Sequence, residues 1–112
     1  MRKIYGIIED EADVNVIMTL QDLKAEGYEI INNFKPSEIA AAPVLFFITS
    51  INPPEIFYDL YRHRRNSPSM GILPMIFKGG EIPDLLADIK YADFRQDSSH
   101  ALALVLRALT RL

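Results

Sequence analysis

Two short runs constrain the fold of this chain more than any other feature. Residues 44–49 read Val-Leu-Phe-Phe-Ile-Thr, and residues 71–77 read Gly-Ile-Leu-Pro-Met-Ile-Phe. Both are apolar, rich in β-branched and aromatic side chains, and short for a buried helix. A strand that is apolar on both faces needs cover on both, which is the environment of a central strand in a parallel sheet. The two runs follow one another in the sequence, as the middle strands of such a sheet would.

The remaining segments supply the cover. Residues 3–8 and 28–31 are further short apolar strands. Between them, residues 12–26 carry Val16, Ile17, Leu20 and Leu23 at helical spacing, with Gly27 as the stop. Residues 35–41 read as one or two helical turns capped by Ser37. A longer helix runs from Asn52 to Arg64, with Asn52 as N-cap, Pro53 at the first helical position and Glu55 closing a capping box. Residues 84–89 form a short helix and residues 91–94 a last strand. Ser98 or Ser99 caps a final helix whose inner face is Leu102, Val105, Leu106 and Leu109. Strand and helix alternate throughout, which predicts an α/β, flavodoxin-like three-layer sandwich: five parallel strands with helices on both faces, one domain over residues 1–112. In such sheets the functional crevice lies at the carboxyl ends of the strands, where strand order reverses. Residues 9–13, 49–55 and 77–80 are therefore the places to look.

Composition removes several classes of function. A chain of 112 residues buries roughly 65% of its unfolded surface, enough for a core without a covalent staple. There is no cysteine and there are only two histidines, which excludes disulfides, thiolate metal sites and a histidine-rich metal site. No run is long enough to span a bilayer. The apolar run after the basic start ends at Glu9-Asp10-Glu11, too soon for a signal peptide, so a cytoplasmic location is expected. The net charge of −3 argues against nucleic acid as a partner.

Several groups of side chains could carry chemistry or contacts. Glu9, Asp10, Glu11 and Asp13 cluster after the first strand. They could hold magnesium through oxygens, or serve the positive end of the helix that follows. Glu9 and Asp10, with Ser50 after the third strand, would line the crevice. Arg62, His63, Arg64 and Arg65 end the Asn52 helix, where cations complement the dipole. They could also meet an acidic surface such as Glu11 and Asp13 of a neighbouring copy. Asp59 has the spacing to pair with His63 as a solvated helix carboxylate. Lys78-Gly79-Gly80 lacks the spacing of a phosphate loop and reads as a turn. Phe57 and Leu60 are expected in the core, leaving Tyr58 and Tyr61 to face a partner.

Two families share this predicted architecture. Ile7-Ile8-Glu9-Asp10-Glu11 resembles the acidic pocket of response-regulator receiver domains, and Ser50-Ile51-Asn52-Pro53-Pro54-Glu55 resembles their loop after the third strand. Ser50 stands where that family carries its phosphate-accepting aspartate, so this resemblance implies a pseudo-receiver regulatory domain that accepts no phosphate. The stretch Ile82-Pro83-Asp84-Leu85-Leu86-Ala87-Asp88-Ile89-Lys90-Tyr91-Ala92-Asp93-Phe94 resembles the end of bacterial TIR (Toll/interleukin-1 receptor) domains. Ser37-Glu38-Ile39-Ala40-Ala41, followed by the central strand and Ser50, resembles their middle. The TIR resemblance implies a protein–protein interaction module in a signalling or antiviral-defence assembly, with itself or another TIR-like protein as partner. It also implies an alternative, an NAD glycohydrolase, with NAD as substrate and no resident cofactor. TIR hydrolases use a glutamate where this chain has Asp59, one methylene shorter; Glu55, one turn earlier, is the other candidate carboxylate.

Overall fold

The computed structural model describes residues 2–39, 43–66, 71–87 and 89–111. Five strands form one parallel sheet: β1 (Arg2–Ile8), β2 (Tyr28–Ile31), β3 (Val44–Ile48), β4 (Ile72–Ile76) and β5 (Ala92–Asp93), in the order β2-β1-β3-β4-β5. The chain steps outward from β1 to β2, then returns across β1 to β3, so strand order reverses between β1 and β3. Three α-helices cover the sheet: α1 (Val14–Ala25), α2 (Glu55–Asn66) and α3 (Ser98–Thr110). This is the flavodoxin-like α/β arrangement.

The two-residue alternation of β3 divides the core. Leu45 and Phe47 point to one layer, with Val16 and Leu23 of α1 and Ala101, Val105 and Leu109 of α3. Val44, Phe46 and Ile48 point to the other, with Phe57 and Leu60 of α2. All five residues of β3 are buried. Aromatic stacking ties each layer down. The Phe46 and Phe57 rings lie 4.6 Å apart and nearly parallel, which pins α2 to β3. Phe47, Phe77 and Phe94 form a stacked row, 5.9 Å and then 4.8 Å between centroids, across the exits of β3, β4 and β5.

Helix boundaries differ from the sequence reading, and capping explains why. Helix α1 begins at Val14 because the Asp13 carboxylate accepts from the N–H groups of Asn15 and Val16. Helix α3 is capped by Asp97, not by Ser98 or Ser99: its side chain accepts from the His100 N–H. Asp fills the same role as Ser here, and it stands one residue earlier. Helix α2 starts at Glu55, which leaves Asn52 outside the helix and Pro53 buried before it. Neither the Asn52 cap nor the capping box forms in that register. Within the described residues the expected turns at 35–41 and 84–89 are 3-10 turns, Pro36–Ile39 and Asp84–Leu86, and the strand at 91–94 contracts to Ala92–Asp93. Ala40, Ala41 and Asp88 of the quoted stretches lie outside the described residues. Ile17, read as part of the inner face of α1, is exposed; Thr19 is buried there instead, its hydroxyl donating to the Asn15 carbonyl.

Gly80 shows how tightly the β4 exit is packed. A Cβ built on it would lie 2.6 Å from the carbonyl oxygen of Ile48, a backbone atom that cannot rotate away. Gly71 has no such constraint, its nearest neighbour being Pro43 at 3.9 Å. Gly80→Ala is therefore expected to cost about 1–3 kcal/mol in urea unfolding. Gly71→Ala is expected to change stability by no more than about 0.5 kcal/mol. Equal stability of the two variants would contradict this packing.

Candidate functional site

The reversal of strand order puts the exits of β1 and β3 side by side, and the loops there meet through one carboxylate. Glu9 follows β1; Thr49 and Ser50 follow β3. One oxygen of Glu9, Oε2, accepts from the N–H of Thr49 at 2.7 Å and from the N–H of Ser50 at 3.2 Å. The other, Oε1, accepts from the Ser50 hydroxyl. Two sequence-predicted crevice residues, Glu9 and Ser50, are thus brought together. The third, Asp10, turns back on its own loop and accepts from the Ala12 N–H at 3.0 Å.

Every member of the acidic cluster has a hydrogen-bond partner. Glu9 is held by the β3 loop, Asp10 by Ala12, Glu11 by the Asn32 side-chain amide at 2.6 Å, and Asp13 by the first turn of α1. Among the described residues no three acidic or histidine side chains converge as metal ligands. The cluster orders a loop and starts a helix.

The carboxylates on α2 stand elsewhere. Asp59 is an exposed side chain, 56% accessible, paired with Arg62 at 2.7 Å one turn on. The expected pairing with His63 does not form; the longer, forked guanidinium reaches Asp59 from the i+3 position. His63 instead has its Nε2 atom buried without a hydrogen-bond partner. Glu55, the first residue of α2, is also exposed. Among the described residues neither Asp59 nor Glu55 is hydrogen-bonded to Glu9 or Ser50. Phe57 and Leu60 are fully buried, and Tyr61 packs partly against them. The side chains of Arg64 and Arg65 lie outside the described residues.

Two features of this end of the sheet escape sequence reading. The first is Arg95, whose guanidinium grips both oxygens of Asp93 at 2.9 Å and donates to the Gly80 carbonyl at 3.4 Å. It links the β4 and β5 exits. The Asp93-x-Arg95 spacing is a weak signal for such a clamp, since either residue alone reads as a surface charge. The second is the contact between the loop after β4 and the exit of β3. Gly79 takes a φ of +90°, which turns the chain back over β3, and the Glu81 N–H reaches the Ser50 carbonyl at 3.3 Å. The turn read at Lys78-Gly79-Gly80 is present, and Lys78 stays exposed. A hollow lies at the other end of the molecule. It holds about 500 Å³ and is lined by Pro43, Val44, Ile72, Ile89, Lys90 and Leu109 among others, at the amino ends of β3 and β4. Among the described residues its walls are mostly aliphatic.

The hydrogen bond from Arg95 holds the Asp93 carboxyl below its ordinary 3.8, against a smaller upward pull from burial. A depressed carboxyl contributes stability above its unfolded-state value and loses it as pH falls through the folded one. Both side chains are more than a third exposed, so solvent screens the pair to about 1 kcal/mol or less. Asp93→Asn should be less stable than the parent by that amount at pH 7. The gap should close as pH falls below 3.8. A gap that persists at pH 2, seen in parallel thermal melts, would assign the loss to packing instead.

Comparison of the chain with protein-family models, with curated proteins and with solved structures finds no match.

Proposed function

We propose that this domain is a protein–protein interaction module of the TIR type, acting through contacts between copies of itself or with a similar domain. One observation carries the reading: α1 is apolar on both sides. Val16 and Leu23 face the sheet, while Val14, Ile17 and Met18 form an outer stripe that is 67%, 39% and 56% exposed. Residues at i, i+3 and i+4 share one helix face, so these three make a continuous patch rather than scattered apolar residues. The acidic loop 9–13 borders it.

The opposite charge lies at the far corner of the molecule. Arg62, Arg64 and Arg65 belong to the last turns of α2, which covers the other face of the sheet. Helix α2 leaves the carboxyl end of β3 and returns toward the amino end of β4, so its basic end is also at the opposite edge. No single molecule can bring the two surfaces together, but a second copy can. Contact between unlike faces is head-to-tail, and it builds rings or filaments. This geometry supports partner contacts by Glu11 and Asp13 on one copy with the arginines of the next.

The NAD glycohydrolase reading draws less support. A carboxylate that stabilises an oxocarbenium-like ribose works from a dry crevice. Asp59 and Glu55 are in solvent, and the crevice between β1 and β3 holds Glu9.

Sedimentation velocity over a concentration series tests the proposal. The parent chain is expected to assemble at low salt and to dissociate as ionic strength rises. Met18→Glu, and separately Arg64→Glu with Arg65→Glu, should stay monomeric, with Met18→Glu melting like the parent because that side chain is exposed. A parent chain that is monomeric at every concentration sinks self-association. In the same samples NAD should remain intact over hours. Turnover that is lost in Asp59→Ala or Glu55→Ala would favour the hydrolase reading instead.

A further inference from the structure

The bond between Glu9 and the β3 loop has a geometry that belongs to ligand sites. Two successive backbone N–H groups and a hydroxyl converge on one carboxylate at the point where strand order reverses. Successive N–H groups aimed at one point form an anion-binding concavity, and strand-order reversal is where open α/β sheets take ligands. We propose that the Thr49–Ser50 loop is an oxyanion site for a carboxylate ligand, and that Glu9 is its resident occupant.

The donors are held by groups other than Glu9. The Ile48 carbonyl accepts from the Phe77 N–H at 2.9 Å, and the Ser50 carbonyl accepts from the Glu81 N–H at 3.3 Å. The Thr49 carbonyl lies over Gly79, 3.1 Å from where a Cβ would be, and Gly80 lies against Ile48. The β4 loop thus engages the carbonyl side of the peptides that lead through residues 48–50. Their N–H side is left facing the β1 exit. Removing Glu9 takes away the occupant and leaves that support in place. Donors fixed in advance cost nothing to orient when an anion arrives.

The pattern also indicates the class of ligand. One oxygen takes both amides and the other takes the hydroxyl, so a planar, two-oxygen group satisfies all three donors. Glu9 is tethered by three side-chain bonds to a strand that pairs with β3, so its effective concentration at the loop is high. A free carboxylate competes poorly while Glu9 is present and binds when Glu9 is gone.

The test uses the full chain, with amide-resolved NMR during titration with sodium formate and, separately, inorganic phosphate, at ionic strength held constant with sodium chloride. In Glu9→Ala, formate should produce saturable shifts centred on the Thr49 and Ser50 amides. The parent should show none over the same range. Adding Ser50→Ala to Glu9→Ala should weaken formate about tenfold or more, the effect of one hydrogen bond to a charged acceptor. Shifts in Glu9→Ala that are absent, non-saturating or equal to those of the parent would mean an adventitious ion only and would overturn the proposal. Saturation by phosphate alone would overturn the carboxylate class. If Glu9→Ala does not fold, Glu9→Gln keeps the shape of the side chain without its charge. It should then show the same two amides responding to formate, more weakly than an empty site would, and silence there overturns the site as well.

Discussion

Strand β3 has no face toward water, and the rest of the structure follows from that. Its five residues are buried on both sides, so each layer of the sandwich is obliged to supply a helix against it. Phe46 stacks on Phe57 to fix α2, and Phe47 begins the row that passes through Phe77 to Phe94. The row lies just under the exits of β3, β4 and β5, so it also sets the spacing of the loops that leave them. Gly80 closes against the Ile48 carbonyl because the exit of β4 runs directly beside the exit of β3. The N–H groups that hold Glu9 belong to the two residues that follow this one strand.

The fold was legible in the sequence for the same reason. Residues 44–49 and 71–77 admit few environments, and once they are central strands the amphipathic segments around them have only the two faces to cover. What was not legible lay at element ends. Asn52 has a good capping side chain, but Pro53 and Pro54 follow it, and the helix registers only at Glu55. Asp97 outcompetes Ser98 and Ser99 by standing one residue earlier, which hydrophobic spacing does not reveal. The resemblance to TIR and receiver domains rests on the sequence stretches alone; the fold is shared by both and does not choose between them.

The candidate site was legible in its location and not in its bonding. Strand alternation directs attention to residues 9–13, 49–55 and 77–80, and the β1, β3 and β4 exits do meet there. The bond between Glu9 and Ser50 spans 41 residues, and nothing local distinguishes Glu9 from the three acids after it. Each of those has a partner within its own loop or on the neighbouring β2 exit, whereas Glu9 sits on the first residue past the strand and points across to β3. Arg95 was missed because its partner Asp93 ends a two-residue strand, too short to fix which way the side chain points.

The same rule that reads β3 as buried can be turned on α1. A helix lying on one face of a sheet needs a single apolar stripe, and its outer side is normally polar. Here Val16 and Leu23 already fill the inner stripe, yet Val14, Ile17 and Met18 repeat the spacing on the outer one. Local structure does not require them: Asp13 caps the helix, and Val14 and Ile17 are poorer helix formers than the alanine or lysine that would serve at an exposed position. Packing within the described residues does not use them either. The crevice is closed by Glu9, and the large hollow sits at the opposite edge of the sheet. An outer stripe bordered by acids is the surface that the proposed contact between copies would cover.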